Sequence, residues 1–321
     1  MAKYKILITD IAWNDLTVEE KVLAEADAEI VLAERQEKDH LVALAKQCDA
    51  ILTCWAQTPQ EVIAASTHCR VVSRFGIGLD NIDVAYCTSR GIPVTNVPDY
   101  CCTEVAEHAL ALILALGRKV AHFHHETKQG VYDLGSGPPM RRLQGQNLGV
   151  IGYGNIGRAL ATRAQAMGMN VLVAEHRNRT FGPPVTTCTL EELLRQADFI
   201  SLHAPLTDTT KHLLSQKHFS LMKPTAYLIN TARGDLVDHA ALATALKNNQ
   251  LAGAGLDVQT PEPPDLQLAP FNDPRVIVTP HAAFVSEESV EELRRRATEN
   301  VTCCLRGERP EHVVNPEVYV S

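Results

Sequence analysis

A doubly wound α/β fold, with parallel sheets covered by helices on both faces, is what this chain predicts, on three observations. Short apolar, β-branched runs alternate with helical, charge-bearing segments almost from end to end, the rhythm of strands connected by crossover helices. Those runs are apolar along their whole length, as strands buried on both faces are. One of them ends in a glycine-rich turn that feeds directly into a helix, the arrangement in which such sheets bind phosphates. The 321 residues exceed one small core and imply two domains of this kind.

Taken in order, Ile6-Leu7-Ile8, the run at 50–53 and Val71-Val72-Ser73 read as buried strands, with helical spacing over 17–28 and 38–46 between them. After a proline-containing passage at 91–99, residues 103–117 read as one long helix. Thr103 is its expected N-cap, with acidic residues close behind, and Gly117 its expected stop. Its middle is apolar nearly all round, which predicts burial. A second series begins at 148–151 and continues through Val171-Leu172-Val173, the run at 199–202, Tyr227-Leu228-Ile229 and Val276-Ile277-Val278. Residues 286–305 form a charged amphipathic helix. No repeat period or low-complexity linker occurs, and chain order alone would divide the domains near residue 145.

Thirty Lys and Arg against 38 Asp and Glu leave a net charge of −8. With no long basic run, the chain is a poor partner for nucleic acid or an anionic membrane surface, although a local basic cluster would still hold one small anion. The most apolar stretch, 109–117, is too short to span a bilayer. Nine cysteines include the adjacent pairs Cys101-Cys102 and Cys303-Cys304, and no CxxC. Zinc ribbons and thioredoxin-like motifs are therefore unsupported, and free thiols in a reducing cytosol are the expectation. The first residues enter a strand without any basic, apolar leader, which agrees with a cytoplasmic protein. His122-Phe123-His124-His125 lacks an evident carboxylate or thiol partner and reads as helix surface, so no metal is expected. No G-x-S-x-G occurs, so a serine hydrolase is unsupported.

Gly152-Tyr153-Gly154-Asn155-Ile156-Gly157 is G-x-G-x-x-G between an apolar strand and a helix expected over about 155–167. One glycine permits the tight turn, the next lets the backbone approach a pyrophosphate, and the third packs helix against strand. An acidic residue should follow about 20 positions on, and Glu175 stands directly after the strand at 171–174, placed to accept hydrogen bonds from ribose hydroxyls. This context favours a dinucleotide; a methyltransferase or flavin protein is the rival reading. Glu175 favours NAD, since a carboxylate repels a 2′-phosphate, while Arg177 and Arg179 close behind would accommodate one and keep NADP as the less favoured cofactor.

Three passages in the last third follow strands, at the sheet edge where open α/β folds bind ligands. They are Asn230-Thr231-Ala232-Arg233-Gly234, Asp257-Val258 leading to Glu262, and Thr279-Pro280-His281-Ala282-Ala283. An Arg, a Glu and a His so placed suit hydride transfer to a ketone. His281 would donate a proton to the carbonyl oxygen and take it back in the reverse direction. Glu262 would raise the basicity of His281 and orient its ring. Arg233 would grip a carboxylate bidentately. Any one of them alone would read as a surface or helix-cap residue.

Together, these passages closely resemble the D-isomer-specific 2-hydroxyacid dehydrogenases. The resemblance extends from about Arg70 and includes the glycine-rich stretch 76–83, the G-x-G-x-x-G turn, 197–206, 230–238 and the Glu262 and His281 passages. It implies that Arg233, Glu262 and His281 are the substrate-binding and acid/base residues. It further implies that Thr231, Ala232 and Asp257 surround the nicotinamide, that His203, Pro205 and Thr103 line the cofactor cleft, and that Gly76 and Ile77 bind the substrate carboxylate. The family's Rossmann-type cofactor domain is inserted in a flavodoxin-like substrate domain, which implies a division of roughly 1–98 plus 288–321 and 99–287, and a homodimer.

Within the family, residues 280–287 and Arg74, a second cation ahead of the Gly76 turn, resemble the C-terminal binding protein branch, although that branch carries Trp where this chain has Phe284. The resemblance implies an NAD-dependent enzyme that interconverts a small 2-keto acid and a D-2-hydroxy acid. Its alternative is an NAD(H)-binding co-repressor of scaffold type with vestigial catalysis. Trp55, after the strand at 51–53, would shape the pocket for the substrate side chain or simply pack.

Overall fold

The computed structural model describes residues 2–175, 181 and 184–320. The chain forms two compact units, Met1–Tyr100 with Ser286–Ser321, and Cys101–Val285. Arg177 and Arg179 lie outside the described residues.

The first unit contains β1 (Tyr4–Ile8), α1 (Thr17–Ala24), β2 (Ala28–Leu32), α2 (Lys38–Ala45), β3 (Ala50–Thr53), α3 (Gln60–Ala65), β4 (Val72–Arg74), α4 (Val84–Ser89) and β5 (Val94–Thr95). Its five strands are parallel in the order β2-β1-β3-β4-β5, the flavodoxin-like winding. Leu7, Ile51, Val72 and Val94 fill the core on one face together with Leu41 and Ile63 from the helices.

The second unit opens with α5 (Cys102–Gly117) and α6 (Val120–Lys128). It continues through β6 (Asn147–Ile151), α7 (Asn155–Ala166), β7 (Asn170–Ala174), β8 (Thr186–Cys188), α8 (Leu190–Gln196), β9 (Phe199–Leu202), α9 (Gln216–Phe219), β10 (Tyr227–Asn230), α10 (His239–Lys247), β11 (Gly253–Leu256) and β12 (Val276–Val278). Seven parallel strands run in the order β12-β11-β10-β9-β6-β7-β8. The winding reverses between β6 and β9, and a crevice at the carboxyl ends of the strands on either side of such a reversal is where these sheets hold dinucleotides.

The last helix, α11 (Glu287–Leu305), returns to the first unit. Arg294 donates to both oxygens of the fully buried Glu19 on α1, at 2.9 and 2.8 Å, and lies over the Trp13 ring. Ser73 Oγ on β4 donates to the Ala297 carbonyl at 2.8 Å. Beyond α11, Asn315 accepts the Val94 N–H and donates to the Ile92 carbonyl, tying the chain's last turn to β5. A buried arginine–carboxylate pair of this kind costs much to break, because removal of either partner strands a charge away from water.

Two expectations need correction. α5 begins at Cys102 with Cys101 in the cap position, so Thr103 is not the N-cap; it lies exposed in the first turn. The segment expected to be helical over 17–28 is helix only to Ala24. Asp27 turns the chain with φ +53° and β2 follows, so residues 28–32 are an edge strand.

Candidate active site

The glycine turn after β6 is built as a phosphate cradle. Gly152 has φ +98°, and a Cβ there would lie 2.5 Å from Ala204 N and His203 C, so no side chain fits between this turn and the end of β9. A Cβ on Gly157 would lie 2.2 Å from the Gly152 carbonyl oxygen, which presses α7 onto the turn. Gly154 differs: it is exposed at the head of α7 with no atom within 4 Å of a Cβ position. Glycine there leaves room for an anion at a helix N-terminus, where Asn155 is exposed and Ile156 half-buried. Glu175 follows β7 directly and is exposed, its N–H held by the Cys188 carbonyl.

Beyond β9, His203 Nε2 lies 2.8 Å from the Ser201 hydroxyl, and its packed surroundings push its pKa down to about 4. Pro205 is exposed, and its carbonyl accepts the Thr210 hydroxyl. Beyond β10, the fully buried Asn230 ties the next turn by accepting the Ala232 N–H and donating to the Arg233 carbonyl. Thr231 Oγ1 is buried without a hydrogen-bonding partner, a polar atom awaiting one. The cradle, the acidic residue after β7 and this orphaned hydroxyl all fit a dinucleotide.

Three loops at the carboxyl ends of β10, β11 and β12 are knitted together by Gln259. A Cβ on Gly234 would lie 2.3 Å from the Gln259 backbone, so the Arg233 turn sits tight against it. The Gln259 N–H donates to Glu262 Oε1 at 2.9 Å, while its buried amide donates to the carbonyls of Leu256 and Thr279 at 3.0 and 3.2 Å. Glu262 Oε2 then stands 2.8 Å from His281 Nδ1. Burial alone would raise the Glu262 carboxyl. The His281 hydrogen bond and charge, the Gln259 N–H and the positive charge of Arg233 outweigh it and hold the group below its ordinary value. An ionised carboxylate only accepts, so Nδ1 carries the proton in this contact.

His281 itself has φ +53°, a left-handed backbone uncommon for a residue with a side chain. Asp257, fully buried at the end of β11, holds it there. Its carbonyl accepts the His281 N–H at 2.8 Å, and its carboxylate accepts the Ala282 and Ala283 N–H groups, both at 2.9 Å, and the Thr279 hydroxyl at 2.6 Å.

Arg74, Gly76 and Ile77 belong to the first unit, at the end of β4. The Arg74 guanidinium is buried and donates to the carbonyls of Thr53 and Phe75. Gly76 has φ +151°, and a Cβ there would approach Arg74 Nη1 to 3.1 Å. The Ile77 carbonyl accepts the Asn96 amide at 2.8 Å. In the same unit, Asp10 accepts the N–H groups of Cys54 and Trp55, at 2.9 and 2.7 Å, and fixes the turn that presents Trp55. Among the described residues no group of three or more His, Cys, Asp or Glu could hold a metal ion, and no helix is long and apolar enough to cross a membrane.

Residues 110–283 match the family model for the NAD binding domain of D-isomer specific 2-hydroxyacid dehydrogenases. The chain belongs to this family. A glyoxylate reductase from Korarchaeum cryptofilum is 38% identical over 290 residues, which cover 88% of this chain and 87% of that protein. A hydroxypyruvate reductase from Thermotoga maritima is 33% identical over 292 residues, 90% of this chain and 94% of that one. Among solved structures, the D-lactate dehydrogenase of Aquifex aeolicus complexed with NAD and lactic acid superposes with a TM-score of 0.86 at 27% identity, covering 97% of this chain and 99% of that one. The protein is thus an NAD-dependent oxidoreductase of 2-hydroxy and 2-keto acids.

Of the residues this dehydrogenase was expected to use, the structure brings Arg233, Glu262 and His281 together in the second unit. It adds Gln259, Thr279 and His108, which the sequence did not mark for these contacts. Gln259 had no signal beyond lying three residues before Glu262. His108 Nε2, on α5, is 3.0 Å from Thr279 Oγ1, a contact across 171 positions.

Proposed function

We propose that this dehydrogenase reduces a small 2-keto acid to the D-2-hydroxy acid with NADH and runs the reverse oxidation with NAD. In this reading His281 is the acid/base, Glu262 its partner and Arg233 the anchor of the substrate carboxylate. The observation that carries the reading is the 2.8 Å contact between His281 Nδ1 and Glu262 Oε2 at the end of a parallel sheet. Arg233 orients the keto acid through its carboxylate and draws electron density from the adjacent carbonyl. His281 gives the Nε2 proton to the carbonyl oxygen as C2 gains a hydride, and Glu262, accepting at Nδ1, orients the ring. When bound, the dinucleotide supplies that hydride or accepts it. Thr231 and Ala232 support the nicotinamide end, and Gly152, Gly154 and Gly157 the pyrophosphate.

The names of the relatives support a substrate with a small C2 substituent, glyoxylate or hydroxypyruvate. Glu175 supports NAD over NADP. We favour catalysis over the co-repressor reading because the histidine–carboxylate pair is intact and aligned. A homodimer is supported by large apolar side chains turned outward between α6 and β6, with Tyr132 94% and Leu134 96% exposed. Nine cysteines with no CxxC among them support a reducing, cytoplasmic compartment.

A kinetic panel tests this reading: glyoxylate, hydroxypyruvate, phenylpyruvate, branched keto acids and glycolaldehyde, each with NADH and NADPH. Glyoxylate and hydroxypyruvate should turn over fastest, with NADH preferred, and glycolaldehyde, which lacks the carboxylate, should not be reduced. Tight NADH binding without turnover of any keto acid would overturn it.

A further inference from the structure

We infer that His108 is a positioning residue for the His281 loop, acting through Thr279 and Asp257; this rests on the reading of His281 as the proton donor. His108 sits midway along α5, a helix whose buried face carries Val105, Ala109, Leu112, Ile113 and Leu116. Its imidazole is largely enclosed, yet it does not serve the apolar core. It turns Nε2 to Thr279 Oγ1 at 3.0 Å and lies 3.5 Å from Asp257 Oδ1.

The direction of this chain of hydrogen bonds follows from counting protons. Thr279 has one hydroxyl proton, and its 2.6 Å contact to the Asp257 carboxylate uses it. Toward His108 the same oxygen can only accept, so Nε2 carries a proton in every protonation state compatible with the contact. The sequence is Nε2–H of His108 to Oγ1 of Thr279, then Oγ1–H to Oδ1 of Asp257. Each donor polarises the next bond, and the chain ends on a carboxylate out of contact with water.

That carboxylate clamps the loop of His281. It holds the N–H groups of Ala282 and Ala283, while the Asp257 carbonyl holds the N–H of His281 in its left-handed conformation. The strained loop is therefore held by one buried residue, its carbonyl on His281 and its carboxylate on two backbone donors and the threonine hydroxyl, with the edge of His108 beside it. Without the imidazole, Thr279 loses the donor that directs its proton to Asp257 and can rotate to other acceptors. Asp257 then holds the loop less rigidly, and the His281–Glu262 pair loses alignment.

The test compares His108→Leu, which removes the donor, with His108→Gln, which restores an N–H at similar reach, using glyoxylate and NADH. His108→Leu should lower kcat about tenfold or more, since small misplacements of a reacting group are costly. NADH Kd, read by fluorescence titration, should stay within about twofold, and His108→Gln should recover kcat to within about threefold of wild type. In a cycle with Thr279→Val, the double variant should be no slower than the slower single variant, because both act through one bond. Equal loss in the Leu and Gln variants, additive losses in the cycle, or a change in NADH Kd with kcat unaffected would each overturn the inference. His281→Asn separates the two readings. If it is inactive while His108→Leu keeps wild-type kcat, the positioning role alone fails; if it stays active, the proton-donor reading fails first.

Discussion

Glu262 lies between two donors: Oε2 is 2.8 Å from His281 Nδ1 and Oε1 is 2.9 Å from the N–H of Gln259. The second contact orients the carboxylate and the first orients the ring, so Glu262 contributes both geometry and charge.

Glu262→Gln separates those contributions, because it keeps the shape and removes the charge. We expect kcat for keto-acid reduction at pH 7 to fall on the order of 10²-fold, with NADH affinity unchanged. In the wild type, Glu262 is held below its ordinary value. The carboxylate, and the activity that needs it, should therefore persist as pH falls until the medium is more acidic than the ordinary carboxylate range. A variant whose rates and pH profile match those of the wild type would contradict this role.

The glycines of the phosphate turn should respond differently to one added methyl group. At Gly157 a Cβ would meet the Gly152 carbonyl at 2.2 Å. Gly157→Ala should therefore destabilise by about 1–3 kcal/mol, read as a Tm several degrees lower. At Gly154 a Cβ meets nothing within 4 Å. Gly154→Ala should melt within about 2 °C of wild type yet bind NADH roughly tenfold more weakly, because the methyl group enters the space of the pyrophosphate. Calorimetry and fluorescence titration on both variants check the contrast, and unchanged NADH affinity in Gly154→Ala would remove the turn from the cofactor site.

His203 gives a stability prediction with a defined pH window. Its folded pKa is pushed down to about 4 from 6.5. The unfolded chain therefore binds a proton first as pH falls, and the neutral ring's contribution is fully present above about 6.5 and is lost progressively toward pH 4. Below that, both states are protonated and this slope ends. His203→Gln should flatten the fall of Tm between pH 6.5 and 4, and an unchanged slope would show that the ring is protonated in the folded protein.

The sequence was most informative where one residue type has one physical use. Gly152 and Gly157 could be read because a turn at φ +98° and a helix pressed on a carbonyl exclude any side chain. Arg233, Glu262 and His281 could be read because each follows an apolar run. Short edge elements were not legible: β2 is half-exposed and directly follows α1, and β5 and β8 have two and three residues. Thr103 looked like a cap, but α5 starts one residue earlier, at Cys102, and Cys101 makes no side-chain cap bond. His108 looked like any histidine on an apolar helix, because its partner is distant in sequence. Periodicity did not show that α11 returns to the first unit, since the pairing of Arg294 with Glu19 spans 275 positions.

The role of His281 as proton donor is tested most directly by His281→Asn, chosen because asparagine accepts the left-handed backbone that this position requires. Steady-state reduction of glyoxylate with NADH should show kcat lowered about 10²- to 10⁴-fold, with NADH Kd within about twofold of wild type. A variant that keeps more than about a tenth of wild-type kcat would mean that the proton comes from another group.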